Sequence, residues 1–305
     1  MQSTNHVFLI RPANFNYNHE TAGSNSFQNK TQISSTDINQ KAIDEFNSLV
    51  SKLKSKGIDA NVFDDTLQPI KPDAIFPNNW ISLHSDGTVI LYPMHAPNRR
   101  LERRQDIIES IKKNFKVSNI IDLSEYENEN RFLEGTGSIV IDHQNRIAYA
   151  CLSPRTDREL FIELCSKLNY KPVYFHSHDQ EGKEIYHTNV MMCVGNKFVV
   201  ICLESISNTD ERKSVVESFK KTNHEIIDIS LDQMNRFAGN MLLLKTEGGN
   251  SILAMSQSAF DSLNKNQRMQ LENYCELFPL AIPTIETIGG GSVRCMIAEI
   301  FLPLL

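Results

Sequence analysis

The chain has 305 residues, 40% apolar and 22% charged, the proportions of a globular protein with a sizeable core in one large domain or two ordinary ones. Its 31 basic and 37 acidic residues give a formal net charge of −6 with no Lys/Arg run, which argues against nucleic acid or an anionic membrane as a main partner. No signal-peptide pattern opens it, apolar runs such as Phe198–Leu203 are strand-length, and six cysteines lie without paired spacing, so a cytoplasmic location with reduced thiols is expected.

The first apolar run, Val7-Phe8-Leu9-Ile10-Arg11, reads as a strand with no preceding partner. The polar stretch Asn14–Ser35 follows and suits a mobile lid over a site. Asp37–Lys56 has helical period, and Ala60-Asn61-Val62-Phe63 is a short strand. From here one pattern repeats: a polar turn bearing Gly or Asn, an apolar run, and usually a second run after a short connection. Its first copy is Phe76–Leu83 with Thr88–Tyr92, followed by the helical segment Asn98–Phe115, whose Arg99–Arg104 cluster reads as a solvated helix start. The second is Leu133–Ile141 with Arg146–Ala150, then helix Asp157–Leu168, begun by Thr156, and strand Lys171–Phe175. Next, His176-Ser177-His178-Asp179 has metal-ligand spacing but reads as a surface loop. The third copy is His187–Val194 with Phe198–Cys202, then helix Asn208–Thr222 and strand Ile226–Ile229. The fourth is Phe237–Leu244 with Ile252–Met255, joined by a Gly248-Gly249-Asn250 hairpin turn and followed by helix Ser258–Cys275.

The fifth copy runs from Gly289-Gly290-Gly291 through Ser292 to Cys295 and Ile297, and has no second strand. The N-terminal run supplies one, so pairing the two ends of the chain would complete a ring. Each unit therefore reads as two strands, a helix and a third strand, and five units in 305 residues give about 60 residues each. If the five turns open at one end, Asn79, Glu134, His187 and Cys295 meet there.

Cys295, where a glycine-rich turn meets an apolar strand, is expected to expose its sulfur and act as nucleophile. Cys151, Cys193 and Cys202, inside apolar runs, read as core thiols. His187 can supply or remove protons, and Glu134 can orient it or accept a substrate N–H. Arg155 can clamp a carboxylate, and Asn78, Asn79 and Asn189 offer uncharged donors and acceptors. This inventory suits cleavage of a C–N bond in an amidine, guanidine or ureido group, with no metal and no redox cofactor.

On these residues the chain resembles the guanidine-modifying enzymes of the pentein superfamily: arginine deiminases, dimethylarginine hydrolases and amidinotransferases. The resemblance covers the whole chain, and its most specific element is the Gly-Gly-Gly-x-x-x-Cys-Met signature, Gly289–Met296. Arg11-Pro12 with Asn18, Glu20-Thr21 and Phe27-Gln28, then Phe76–Trp80, Arg131–Ser138 and Tyr186–Asn189, look closest to the citrulline-utilisation hydrolases, the CtlX branch. The resemblance implies a single catalytic domain over residues 1–305, an α/β propeller of five ββαβ blades with pseudo-fivefold symmetry, closed by the N- and C-terminal strands. It implies that Cys295 forms a covalent intermediate, that His187 protonates the leaving amine and then activates water, and that Arg155 holds an α-carboxylate. Ser292, beside the nucleophile, joins Asn78, Asn79 and Asn189 among the expected substrate-binding residues.

The chain departs from arginine deiminases at Asn79 and Asn189, where those enzymes carry aspartates that grip the guanidinium. An asparagine cannot neutralise a buried cation, and leaving such a charge unpaired costs about 3–5 kcal/mol. An amide matches a neutral ureido group instead, so citrulline is expected as substrate, going to ornithine, carbon dioxide and ammonia. The competing readings are an amidinotransferase, an arginine deiminase-like enzyme, and a non-catalytic binding ring of the kind found in a ribosome anti-association factor. The expected partner is a small citrulline- or arginine-like amino acid, and a homodimer remains an option.

Overall fold

The computed structural model describes residues 1–32 and 34–305; position 33, inside the expected lid, lies outside the described residues. The fold is mixed α/β, built from five three-stranded sheets. Strand β1 (His6–Arg11) runs parallel to β2 (Asp59–Asp64). In the next sheet, β3 (Ile81–Leu83) pairs antiparallel with β4 (Thr88–Leu91), which pairs parallel with β5 (Asn119–Asp122). The same order recurs in β6 (Val140–Asp142), β7 (Ile147–Cys151) and β8 (Lys171–Phe175). It recurs again in β9 (Met192–Val194), β10 (Phe198–Ile201) and β11 (Glu225–Asp228). The fourth case is β12 (Leu242–Lys245), β13 (Ser251–Ser256) and β14 (Glu276–Leu280).

The remaining sheet is assembled from both ends of the sequence. Strand β15 (Ala298–Glu299) lies antiparallel to β1, with Val7 opposite Glu299 and Phe8 opposite Ala298. It stands where the first strand of each other unit stands, so β15-β1-β2 completes the fifth repeat as the sequence predicts.

The parallel pair in each sheet needs a crossover, and the helical segments supply it. Helix Ser35–Ser55 buries Ile38, Ala42, Phe46, Leu49, Val50 and Leu53, a stripe at helical spacing, and leaves its charged face in solvent. Strands β4, β7 and β10 are buried throughout because each is central in its sheet and covered on both faces. Among the described residues no helix is long and apolar enough to cross a membrane.

Several boundaries differ from expectation. The segment Asn98–Phe115 divides into Pro97–Arg100 and Gln105–Ile111, with Arg104 in extended backbone at the start of the second helix. Ser258–Cys275 divides into Gln257–Ser262 and Lys265–Glu272, since Asn264 and Gln267 form a reciprocal capping box that starts a new helix. The first of these helices is capped by Ser256, not Ser258, and Asp157 rather than Thr156 caps Arg158–Leu168. The repeat's polar turns also do not run straight into strands. Pro77–Asn79, Gly135–Ser138, Thr188–Met191 and Val293–Met296 each form one helical turn first. Cys295 therefore sits in a single 3₁₀ turn and not on a strand.

Candidate active site

The helical turns stack in sequence order and are tied to one another by hydrogen bonds. Thr136 Oγ1 donates to the Asn78 carbonyl at 3.3 Å, and Thr188 Oγ1 donates to the Ser138 carbonyl at 2.6 Å. Asn240, at the entrance to β12, donates from Nδ2 to the Asn189 carbonyl at 2.8 Å, and its Oδ1 accepts the Arg294 N–H at 3.1 Å. The last turn meets the first through glycines, since a Cβ on Gly289 or Gly291 would stand 2.8 or 2.9 Å from the Phe76 ring. Gly135, at φ 48°, lets the second turn approach the first where a side chain would strike the Asn78 carbonyl. Four of the units line one small cavity, with Asp73, Asn79, Arg99, Arg155, His187 and Cys295 among its walls, and Asn240 of the remaining unit reaches the Cys295 sulfur.

Cys295 is 3% exposed, contrary to the accessible thiol expected from its glycine-rich turn. The glycines serve close approach instead, to Phe76 and, at Gly290, to Asn25 and Gln28 of the loop above. Two amides aim at the sulfur: Asn240 Nδ2 at 3.3 Å and Asn189 Nδ2 at 3.6 Å. Because the Asn240 oxygen is taken by the Arg294 N–H, its NH₂ is the end that faces Sγ.

Across the cavity, His187 Nε2 lies 2.7 Å from Glu134 Oε2, and both residues are buried. Glu134 Oε1 accepts the His95 N–H at 2.9 Å, and Arg155 Nη1 stands 3.5 Å from Oε2. Burial opposes the Glu134 charge, yet Arg155, then His187 and Arg99, outweigh it and hold the carboxyl well below its usual range. Burial also pushes His187 down to about 4 against the pull of Glu134, so the resting imidazole is neutral. Its Nε2–H then donates to the carboxylate, leaving Nδ1 as a free base.

Arg155 is clamped by the loop that the sequence assigned as a lid. Its Nη2 donates to Ser24 Oγ at 2.7 Å and to the Thr21 carbonyl at 3.2 Å, while its guanidinium lies 4.9 Å from the Tyr186 ring centroid. Tyr186 in turn donates its hydroxyl to the Gly290 carbonyl at 2.5 Å. Asp73 sits under the same loop, with Oδ2 accepting from Asn18 Nδ2 at 2.7 Å and Thr21 Oγ1 at 3.3 Å. Its Oδ1 is buried with no hydrogen-bond partner among the described residues, and burial, opposed by Arg99, raises its pKa.

The structure brings Cys295, His187, Glu134, Asn79, Asn189 and Arg155 together. It does not bring Ser292 to the cavity: that hydroxyl is spent on Glu286 Oε1 at 2.6 Å. Asn78 is fully buried outside the cavity lining, with both amide atoms unpartnered among the described residues. His176 is exposed and pairs with Glu211.

The arginine cluster needs correcting, because Arg99 is 3% exposed and lines the cavity. It forks onto Glu102 at 2.9 and 2.8 Å and donates from Nη1 to Asn79 Oδ1 at 2.8 Å. Asp73, Arg99, Tyr186 and Asn240 are thus site residues that sequence reasoning passed over. For Asn240 a signal existed, since it closes the fourth polar turn of the same repeat that places Asn79 and Asn189.

The family described as N,N dimethylarginine dimethylhydrolase, eukaryotic, matches residues 11–302. No curated protein matches the sequence. Among solved structures, the fold is similar to the N-terminal domain of ArgZ, an arginine dihydrolase from the ornithine–ammonia cycle in cyanobacteria, solved as a cysteine-to-serine mutant with substrate. There the TM-score is 0.75 at 14% identity, over 98% of this chain and 99% of that one. Against apo ArgZ the shared part is 41% of that chain. The ternary complex of AgrE with ornithine and NAD⁺ gives 0.75 at 15% identity, over 98% of this chain and 40% of that one. DDAH from Pseudomonas aeruginosa, complexed with citrulline, gives 0.67 at 15% identity, over 97% and 99%. At such identities the likeness is one of fold.

Proposed function

This chain belongs to the N,N dimethylarginine dimethylhydrolase family, and from that premise we propose that it hydrolyses a ureido amino acid, citrulline, at Cys295. It is an enzyme of the guanidino-modifying pentein superfamily, a hydrolase of non-peptide C–N bonds. We take the five sheets as blades of one closed propeller and residues 1–305 as one catalytic domain.

The observation that carries the substrate reading is the separation of charge in the cavity. At the Cys295 sulfur the neighbouring donors are the amides of Asn189 and Asn240, and Asn79 lines the same cavity. The one carboxylate near the histidine, Glu134, is already engaged by His187, Arg155 and the His95 N–H. The unengaged carboxylate oxygen belongs to Asp73, under the loop beside Thr21, which also caps Arg155. This suits a zwitterionic amino-acid end, with the α-carboxylate on Arg155 and the α-ammonium on Asp73, and a neutral group at the sulfur.

The thiolate of Cys295 adds to the ureido carbon, and the C–N bond to the δ-nitrogen breaks. His187 Nδ1, having taken the thiol proton, delivers it to the leaving amine, so ornithine departs and a thiocarbamate remains on sulfur. Neutral His187 then takes a proton from water, which attacks the thiocarbamate; carbamate leaves, decays to carbon dioxide and ammonia, and the thiol is restored. Glu134 holds the imidazole in the tautomer that both steps need. Arg155 can receive a carboxylate only if Ser24 and Thr21 let go, so the loop must move on entry.

A second reading, hydrolysis of a guanidine such as arginine or a methylated arginine, is favoured by the free oxygen of Asp73, which could pair with a cation. The test is incubation with citrulline, arginine, agmatine and dimethylarginine, following ornithine, citrulline and ammonia. Ornithine from citrulline, abolished in Cys295→Ala, is the expected result. Citrulline from arginine or dimethylarginine would keep the nucleophile and replace the substrate.

A further inference from the structure

We propose that Glu286, which stands outside the active-site cavity, is a positioning residue for Cys295: its carboxylate holds Ser292, the residue that opens the turn carrying the nucleophile. The inference rests on Cys295 as the nucleophile in the reading above and adds to it a residue that touches no substrate.

The backbone between Glu286 and Ser292 is the softest part of the segment. Helix Pro283–Gly289 gives way to Gly290 in the left-handed region and then to Gly291, and only then does Ser292 open the turn Val293–Met296. Three consecutive glycines have no side chains to pack and lose the most conformational freedom on ordering. The Ser292 hydroxyl spans them by donating to Glu286 Oε1 at 2.6 Å, and the Ser292 carbonyl accepts the Cys295 N–H at 2.9 Å. The place of Cys295 thus follows from the place of Ser292. Glu286 is itself fixed, because Glu45 anchors its helix by accepting the Thr284 and Ile285 N–H groups at 2.9 and 3.0 Å. Asn25 also holds the carbonyls of Gly289 and Gly290, at 3.4 and 3.2 Å, but it belongs to the loop that must move when substrate enters. The Glu286–Ser292 bond does not, so with Tyr186 it keeps the turn in place while the loop is open.

That bond depends on charge. Glu286 is 7% exposed and receives the hydroxyls of Ser256 and Ser292. Its outer side borders a cavity of about 400 Å³ whose other carboxylates are Asp179 and Glu181, with no lysine or arginine among the walls described. Burial is the largest influence and, with Glu45, raises its pKa to about 7 against the two hydroxyls and Arg236. Two serine O–H groups suit a carboxylate, which only accepts. A carboxylic acid has a proton of its own to place, and its bond to Ser292 loses the charge that makes it strong. Protonation therefore loosens the turn.

Two variants test this in the intact chain, with kcat and KM followed from pH 5 to pH 9 on whichever of citrulline and arginine the wild type turns over. The wild type is expected to lose about tenfold in kcat as pH falls through about 7, whereas His187, at about 4, titrates below this range. Glu286→Gln keeps an acceptor for Ser292 without the charge, so its kcat is expected to stay at the lower level throughout, with KM unchanged. Ser292→Ala breaks the same link from the other side and is expected to flatten the profile in the same way; it decides alone if a melting curve shows Glu286→Gln unfolded. A limb near 7 that survives in the variants, a kcat at pH 9 equal to that of the wild type, or a loss that falls on KM overturns the positioning role and leaves the ureido reading standing. A wild type that turns over arginine alone overturns the ureido reading and leaves this test intact. One that turns over neither overturns the nucleophile, and the positioning role falls with it.

Discussion

Gly137 has room for a hydrogen atom and nothing larger: a Cβ there would press on Asn79 Nδ2 and stand 2.7 Å from His187 Nδ1. A methyl group would push the base and the amide apart by roughly an ångström, a displacement that costs on the order of a hundredfold in rate. Gly137→Ala should therefore lower kcat by about that factor and, because overpacking a buried site costs about 1–3 kcal/mol, lower the melting temperature as well, as steady-state kinetics below the transition and a thermal melt on one preparation would show. Single residues were legible in the sequence where the repeat fixed their place, as with Cys295, His187 and Glu134. Arg99 was misread because a run of arginines in a helical segment suggests a solvated face, and only the tertiary pairing with Glu102 turns one of them inward. Ser292 was misplaced because adjacency to Cys295 in sequence says nothing about which way a side chain points, and here it points to Glu286.

The long helices and central strands follow from period and charge, and β8 falls at the boundaries its pattern predicts. The helical turns that hold the site do not, because four residues are too few for a 3.6-residue period to show. Helix Thr209–Lys221 illustrates what a cap contributes. Asn208 accepts the N–H groups of Asp210 and Glu211, at 2.9 and 3.2 Å, and the first turn is acidic while the last is basic, as the helix dipole favours. Asn208→Ala should cost about 1 kcal/mol of stability, visible as a lower urea midpoint with an unchanged slope and unchanged activity. The helix lies on the surface away from Cys295, so loss of activity in that variant would contradict this assignment of the site.

Buried histidines give the whole molecule a pH dependence. His84 is buried against Ser82 and held neutral, its pKa pushed from 6.5 to about 4 by burial, which Asp86 only partly counters. An unfolded His84 takes up a proton near pH 6.5 that the folded chain refuses until about 4, so stability falls as pH drops through that window. The slope from this one group approaches about 1.4 kcal/mol per pH unit inside the window. His84→Asn should lose less stability than the wild type between pH 7 and pH 4.5, measured by chemical denaturation at each pH; equal losses would place the proton elsewhere. At this scale the sequence was most informative. The repeated turn-strand-strand pattern foretold five sheets and the pairing of the chain's ends, because periodicity accumulates over many residues while the turn of one side chain does not.

That pairing has a consequence for how the protein is made. Strand β1 leaves the ribosome long before β15, its antiparallel neighbour, because nearly all of the other described elements lie between them in the sequence. Until β15 arrives, one side of β1 is a bare row of amide and carbonyl groups on a strand whose Val7, Phe8 and Leu9 are fully buried in the finished molecule. A nascent chain in that condition can seek strands on other chains, so the long interval of synthesis is when it is most exposed to aggregation and most in need of a chaperone. The turn that carries Cys295 lies immediately before β15, so the nucleophile emerges at the same late moment as the strand that seals the edge.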